Sequence, residues 1–174
     1  MKKFEVLISN KEITKRVKDL ATELDKRYKN EPVLLVCVLK GAVMFYAELL
    51  KNIKSDNVEI DFIQVKSYEG VSTTGKITLV KDISSDIKDK HVVLVEDIID
   101  TGITANWLYE YLLQKQPKSL LMVSLLQKPT KLRTDLKIET LIGFSIEDLF
   151  VLGYGLDLDQ RYRNLNDIVV YNGN

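Results

Sequence analysis

The apolar residues of this chain follow two patterns that take turns along the sequence. One has the period of an α-helix, and the other is a continuous run typical of a buried strand. Ser9 and Glu12 have the spacing of a capping box, and the apolar positions after them recur at the helical period, which predicts an amphipathic helix over about residues 11–29. Pro32 ends this region, and residues 33–38 form a continuous apolar run rich in valine. Such a run is typical of a strand that is buried on both faces.

The same alternation continues through most of the chain. Further helices are predicted at about 42–53 and 104–116, and further strands at 58–66, 77–80, 91–95 and 119–126. Strands that alternate with helices favour a mostly parallel sheet with right-handed crossovers. Residues 67–76 are small and polar with two glycines, which predicts a mobile loop. We therefore predict one α/β domain over residues 1–174 with a core of about 11–140, and short strands and turns beyond about 138.

Composition narrows the possible functions. The 174 residues include 25 basic and 25 acidic side chains, so the formal net charge is zero, which argues against a general nucleic-acid or membrane binder. No apolar stretch approaches the roughly 18 residues of a transmembrane helix. The lone cysteine, Cys37, lies in an apolar run and is expected to be a small buried hydrophobe in a reducing, cytoplasmic setting. With one histidine and one cysteine, any metal site must use oxygen ligands.

The strand at 91–95 runs into the most chemically informative segment. Glu96 and Asp97 follow it directly, and Asp100-Thr101-Gly102-Ile103-Thr104 opens the next helix. Ligands of open α/β sheets bind beyond the carboxyl ends of the strands, and a helix N-terminus offers free N–H groups to an anion. The segment therefore suits a phosphate, although an ordinary strand–turn–helix connection has the same local pattern. A P-loop motif is absent, and Gly153-Tyr154-Gly155 fails as a dinucleotide fingerprint because position 158 is Leu.

The segment from Val92 to Gly102 resembles the phosphoribosyl-pyrophosphate motif of type I phosphoribosyltransferases. Four further segments resemble the hypoxanthine–guanine phosphoribosyltransferases in order and spacing: Leu39-Lys40-Gly41, Ser67-Tyr68, Lys128-Pro129, and Phe150 to Asp157 followed by Arg161 to Leu165. The resemblance spans nearly the whole chain. It implies an α/β fold with a mostly parallel central sheet flanked by helices. It also implies a small hood from about 141–174 together with the strand near Phe4–Ile8.

This resemblance also implies a reaction. The 5-phosphoribosyl group of phosphoribosyl pyrophosphate would move to N9 of hypoxanthine or guanine, giving IMP or GMP and pyrophosphate, with Mg²⁺ as cofactor. Glu96 and Asp97 would accept hydrogen bonds from the ribose hydroxyls. The 5′-phosphate would be held by Asp100, Thr101, Gly102, Ile103 and Thr104, and the pyrophosphate by Leu39, Lys40, Gly41 and Arg163.

The remaining matched residues would serve the purine and the metal. Asp100 is the expected catalytic residue, beside purine N7, where a carboxylate can take or share a proton. Lys128 would donate to the 6-oxo group, Phe150 would stack on the base, and Val151 would present backbone groups to its edge. Asp157 is expected at the purine and as a ligand of Mg²⁺, with Glu96 and Asp97 as further metal ligands. Ser67 and Tyr68 would contact the substrate when the loop at 67–76 closes.

Three other interpretations remain open at this point. A nucleotide-sensing regulator could share the fold and residues 96–104, but it would need neither Asp100 as a base nor Lys128. A transferase for xanthine is compatible with the sequence, whereas the Lys128 cation disfavours adenine because two donors would face each other. A plain α/β binding module would not explain the matched segments. The resemblance further implies a homodimer or homotetramer, with no nucleic-acid or membrane partner.

Overall fold

The computed structural model describes residues 4–29, 31–68 and 76–173. The helices and strands predicted from the sequence are present in the predicted order. The strands are β1 (Phe4–Ile8), β2 (Val33–Leu39), β3 (Val58–Tyr68), β4 (Lys76–Lys81), β5 (His91–Ile99), β6 (Ser119–Gln127), β7 (Glu139–Ser145), β8 (Val151–Leu152) and β9 (Ile168–Tyr171). The α-helices are α1 (Asn10–Tyr28), α2 (Val43–Asn52) and α3 (Ile103–Leu113), and a 3-10 helix spans Pro129–Lys131.

Six strands form the central sheet in the order β4-β3-β2-β5-β6-β7. Every neighbouring pair is parallel except β3 and β4, so the predicted fold class is confirmed. Successive side chains of β2 and β5 point to opposite faces: Leu35 and Val93 belong to the core beneath α1 and α2, whereas Leu34 and Val92 belong to the core beneath α3. Because both faces are covered, these strands read as continuous apolar runs.

Cys37 lies in the middle of this buried sheet. Its side chain is fully buried and its thiol is free, as expected from its apolar neighbours. Burial, followed by the nearby carboxylates of Glu96 and Asp97, raises the pKa of the Cys37 thiol to about 12. The thiol is therefore neutral and acts as a small hydrophobic side chain.

The helix ends follow local chemistry. The capping box is confirmed, because Ser9 Oγ accepts from the Glu12 N–H and the Ser9 N–H donates to Glu12 Oε2 at 2.9 Å. Helix α3 ends at Leu113 and not near 116 as predicted. Gln116 precedes Pro117 and has a φ of 57°, and a residue before proline is disfavoured in the helical region.

Three further strands form a second, smaller sheet. It is antiparallel with the order β1-β9-β8, and it pairs Phe4 with Tyr171 and Val151 with Val170. The segment after 140 was expected to leave the core, but β7 continues the central sheet to Ser145. Its partly buried pattern is that of an edge strand, which has a weaker apolar signal than β2 or β5.

The first two residues of the predicted loop at 67–76 belong to a strand. Ser67 and Tyr68 lie in β3 and pair with Ile77 and Lys76 of β4. An antiparallel ladder is held by backbone hydrogen bonds, so it continues through polar residues. The predicted closing segment falls on residues 69–75, outside the described residues. Among the residues that the structure describes, none of the helices is long and apolar enough to cross a bilayer.

Candidate active site

A polar cleft of about 380 Å³ lies where β2, β3 and β5 end. The carboxyl ends of parallel strands meet at one edge of the sheet, which is where ligands bind in open α/β folds. Residues of five separate segments line it: Leu39, Lys40, Gly41, Ser67, Glu96, Asp97, Thr104, Asp157 and Arg163. The structure therefore brings together all of the residues predicted for ribose, pyrophosphate and metal.

Glu96 and Asp97 form the acidic centre of this cleft. The Asp97 N–H donates to Glu96 Oε1 at 3.1 Å, and the Ile98 N–H donates to Asp97 Oδ1 at 2.8 Å. Burial raises the pKa of both carboxyls, and the adjacent Asp97 charge raises that of Glu96 further. A cation or a hydroxyl donor that binds two adjacent carboxylates reduces the repulsion between them. This pair therefore suits a polyhydroxylated or metal-bearing ligand.

Glycine is required where β2 approaches this pair. A Cβ at Gly41 would lie 1.6 Å from Asp97 Oδ2, and a Cβ at Gly155 would lie 2.0 Å from the Gly41 carbonyl oxygen. Gly155 also has a φ of +101°, which favours glycine. The Leu39–Lys40 peptide is cis. The turn after β2 is thus packed directly between Asp97 and the segment around Gly155.

The predicted phosphate cradle forms a smaller adjoining cavity of about 70 Å³. Gly102 caps α3 with a φ of +81°, and a Cβ there would approach Leu136 Cδ2 to 3.1 Å. Helix α3 begins at Ile103, so the first-turn N–H groups lie outside the helix's own hydrogen-bond pattern. Asp100, Thr101 and Thr104 line the same cavity, which shares Glu96, Ile98 and Thr104 with the larger cleft. The two cavities form one continuous site.

The basic groups of the cleft are held by the chain after β8. Arg163 pairs with Asp157 Oδ1 at 2.9 Å and donates to the Gly155 carbonyl at 2.7 Å. Gln160 Oε1 accepts from Arg163 at 3.2 Å and from Lys40 Nζ at 3.4 Å. The two cations predicted for pyrophosphate therefore face one oxygen atom. Gln160 was missed in the sequence, where it lies in a polar turn without a distinguishing pattern.

The purine-directed residues lie beside Asp100. Lys128 is buried, and its Nζ donates to Asp148 Oδ1 at 3.1 Å. Lys131 Nζ lies 3.2 Å from Asp100 Oδ2 and 3.4 Å from Asp148 Oδ1. Asp100 Oδ1 is shielded from solvent and has no hydrogen-bond partner among the described residues, which favours a ligand donor there. Lys131 and Asp148 were not predicted, because ion pairs across a turn leave no periodic signal.

Val151 begins β8, and Phe150 directly precedes it. The Phe150 side chain is 52% exposed and meets Tyr171 edge-on, with ring centroids 6.1 Å apart. An exposed aromatic ring is available to stack on a flat ligand. Val151 is buried and pairs with Val170. Its role at the base edge stays a prediction.

The donor set fits a magnesium ion that is shared with a phosphorylated ligand. Within the described residues, no group of three or more His, Cys, Asp or Glu side chains could hold a metal alone. Mg²⁺ commonly takes one or two carboxylates, with phosphate oxygens and waters as its other ligands. Glu96, Asp97 and Asp157 supply such oxygens within one cleft.

Comparison with known proteins agrees with this geometry. Residues 6–159 match the family described as phosphoribosyl transferase domain, and the chain belongs to this family. The resemblance stated from the sequence is thereby confirmed.

Curated relatives narrow the family. The chain is 43% identical over 162 residues to hypoxanthine-guanine phosphoribosyltransferase of Bacillus subtilis, covering 92% of this chain and 88% of the relative. It is 42% identical over 164 residues to hypoxanthine phosphoribosyltransferase of Escherichia coli, covering 92% and 91%. A crystal structure of a Bacillus anthracis hypoxanthine-guanine phosphoribosyltransferase superposes with a TM-score of 0.88, at 42% identity and 95% coverage of each chain. These relatives support the enzyme interpretation over a nucleotide-sensing regulator.

Proposed function

We propose that this protein transfers the 5-phosphoribosyl group from phosphoribosyl pyrophosphate to N9 of hypoxanthine or guanine, releasing IMP or GMP and pyrophosphate. The observation that carries the proposal is the continuous site at the carboxyl ends of β2 and β5. It combines a helix N-terminus, an acidic pair and two cations within one cleft. Each part matches a different portion of a sugar bearing a phosphate and a pyrophosphate.

The sugar phosphate would be oriented from β5 and α3. Thr101 to Thr104 would bind the 5′-phosphate through the first-turn N–H groups and positive end of α3. Glu96 and Asp97 would accept the ribose hydroxyls, since carboxylates accept several hydrogen bonds at once. Binding on both sides of C1′ would fix the carbon that is attacked and reduce the entropy of reaching the transition state.

The leaving pyrophosphate would lie between Lys40 and Arg163. Both cations already face Gln160 Oε1, so a phosphate oxygen would replace one neutral acceptor with a charged one. Asp157, Glu96 and Asp97 would hold Mg²⁺ at this end of the site. The bound ion would neutralise negative charge on the departing pyrophosphate.

The base would lie between Asp100 and Lys128. Asp100 would take or share the N7 proton as N9 attacks, which stabilises positive charge on the ring. Lys128 would donate to the 6-oxo group, and Phe150 would stack on the ring. An amino group at position 6 would face the Lys128 ammonium donor to donor, which disfavours adenine. Closure of residues 67–76 over the site, with contacts from Ser67 and Tyr68, stays part of this proposal.

The direct test is nucleotide synthesis by the purified protein with Mg²⁺, phosphoribosyl pyrophosphate and one purine at a time. We expect IMP from hypoxanthine, GMP from guanine, and little AMP from adenine. Xanthine is the informative fourth base, because a preference for it would correct the substrate while keeping the reaction. Failure to form nucleotide from hypoxanthine or guanine would refute the proposed function.

Two further expectations accompany the proposal. The family relationship favours a homodimer or homotetramer, which light scattering after size-exclusion chromatography would measure. We also expect a cytoplasmic location, because the single cysteine lies in an apolar run and suits a reducing setting. Omitting Mg²⁺ and adding a chelator should abolish nucleotide formation, and excess Mg²⁺ should restore it.

A further inference from the structure

We infer that Lys131 is a positioning residue that couples Asp100 to Lys128 through Asp148. This inference rests on the proposed function, because it concerns how that site reads the purine. The four side chains form one chain of alternating charge: Asp100, Lys131, Asp148 and Lys128, in that order. Its three contacts are 3.2, 3.4 and 3.1 Å long.

The backbone holds this turn in place without the Lys131 side chain. The Lys128 N–H donates to the Ile99 carbonyl and the Arg133 N–H donates to the Thr101 carbonyl, both at 3.0 Å. These two bonds flank Asp100 on either side. Pro129 begins the 3-10 helix, and the Lys131 N–H closes it on the Lys128 carbonyl at 3.0 Å. Truncating the Lys131 side chain therefore removes a charge contact and leaves the turn intact.

The charges at the two ends of this chain would meet adjacent atoms of one purine edge. In a 6-oxopurine, N7 and the 6-oxo group lie side by side, and the proposed site assigns them to Asp100 and Lys128. Lys131 touches Asp100 directly, and it shares one oxygen of Asp148 with Lys128. Asp148 is thus neutralised from two sides. Lys131 holds the Asp100 carboxylate and limits how strongly Asp148 retains the Lys128 ammonium.

Electrostatics agrees with this geometry. The hydrogen bond to Asp100 is the largest cause that raises the pKa of Lys131, and the contact with Lys128 is the largest that lowers the pKa of Asp148. Both groups are therefore charged at neutral pH. Lys131 thus places a positive charge between the carboxyl groups of Asp100 and Asp148.

The test is steady-state kinetics of Lys131→Met, Lys131→Arg and a matched control. Lys115→Met is the control, because Lys115 pairs with Asp82 at 3.0 Å and is 35% exposed, against 3.2 Å and 36% for Lys131. We expect Lys131→Met to lower kcat about tenfold or more and to raise KM for hypoxanthine, with KM for phosphoribosyl pyrophosphate nearly unchanged. Lys131→Arg should recover most of the activity, and Lys115→Met should behave as wild type.

The coupling itself is tested by a double-mutant cycle with Asp148→Asn. The effects of Lys131→Met and Asp148→Asn on kcat/KM for hypoxanthine should be non-additive, because both act on Lys128. Additive effects would overturn the coupling, and wild-type kinetics for Lys131→Met would overturn the role of Lys131. Equal changes of both KM values would point to general damage and overturn it as well. An inactive wild-type protein would instead refute the proposed function.

Discussion

Strand β5 joins two charged clusters of opposite character. At its amino end, Glu31 accepts from His91 Nε2 at 2.9 Å and from Lys118 Nζ at 2.6 Å, so each charge has an opposite or neutral partner. At its carboxyl end, Glu96 is buried and the adjacent Asp97 is half-buried, and burial raises the pKa of both carboxyls. The first cluster pairs opposite charges, whereas the second brings two acidic side chains together in a cleft.

This contrast explains why a net charge of zero says little about function. The same strand carries a balanced cluster on the surface and an unbalanced one in a cleft. Perturbed carboxyls in a cleft are common at active sites, because a protein keeps such groups together only where a ligand completes them. Variants at each cluster should therefore separate activity from stability.

The largest loss is expected from crowding the acidic pair. In Gly41→Ala the new methyl would collide with the Asp97 carboxylate, since its position lies 1.6 Å from Oδ2. We expect kcat/KM for phosphoribosyl pyrophosphate to fall about 100-fold or more, as for other displacements of about 1 Å in an active site. Gly143→Ala is the control, because its Cβ would likewise collide with an oxygen, the Leu125 carbonyl 2.5 Å away, but far from the acidic pair in sequence. It should lower Tm and leave KM for phosphoribosyl pyrophosphate unchanged.

The next largest loss of activity is expected from replacing Lys128, the buried cation of the site. Lys128→Met keeps the buried stem of the side chain and deletes the donor to the 6-oxo group. We expect kcat/KM for hypoxanthine to fall roughly 10- to 100-fold, the range for a hydrogen bond to a charged group, with KM for phosphoribosyl pyrophosphate unchanged. Steady-state kinetics with each substrate varied in turn checks this. An equal loss toward both substrates would contradict a role at the base.

Asp61 is another buried carboxylate, and it sharpens the comparison. Its neighbours are hydrogen-bond donors, whereas the neighbour of Glu96 is a second acidic side chain. Burial raises the pKa of Asp61, but N–H groups of Phe62, Ser84 and Ser85 bind its two oxygens and the net shift is downward. Asp61→Asn should lower the free energy of unfolding by about 1–3 kcal/mol and spare kcat. Chemical denaturation measures this, with the exposed Asp86→Asn as control.

The lowered pKa of Asp61 determines how its contribution to folding stability changes with pH. A carboxyl with a lower pKa in the folded state stabilises the fold above its unfolded pKa, near 3.9, and loses this contribution as pH falls through the folded value. The stability gap between wild type and Asp61→Asn should therefore narrow in acid. A gap that widens in acid would contradict the assigned hydrogen bonds.

The smallest effect is expected at the amino end of β5. Lys118→Met breaks the contact with Glu31, in which both side chains are 53% exposed. Exposed ion pairs contribute about 0–1 kcal/mol, so we expect a change within that range and an unchanged kcat. A large loss of activity would remove the distinction between the two clusters.

The order of strands and helices could be predicted from the sequence because burial on both faces of β2 and β5 produces unbroken apolar runs. Strand β7 was placed outside the core because an edge strand is only partly buried. Ser67 was assigned to a loop, although backbone pairing with Ile77 extends β3 through it.

The residues of the site also fall into two groups, those that the sequence predicts and those that only the fold brings together. Glu96, Asp97 and Asp100 follow a strand in one segment, so motif and topology place them together. Lys131 and Asp148 come from two different turns, and only the fold shows that they share contacts with Lys128. Long side chains that meet across turns carry no local sequence signal, which is why these two were missed.

The reaction proposed for the carboxyl end of β5 depends most on the proton role of Asp100. The most direct measurement is kcat of Asp100→Asn with hypoxanthine and phosphoribosyl pyrophosphate at saturation, with Kd for phosphoribosyl pyrophosphate measured by calorimetry in parallel. We predict that kcat falls about 10²- to 10⁴-fold, the range for general acid–base catalysis, while Kd changes far less. An unaltered kcat would contradict the proposed role of Asp100.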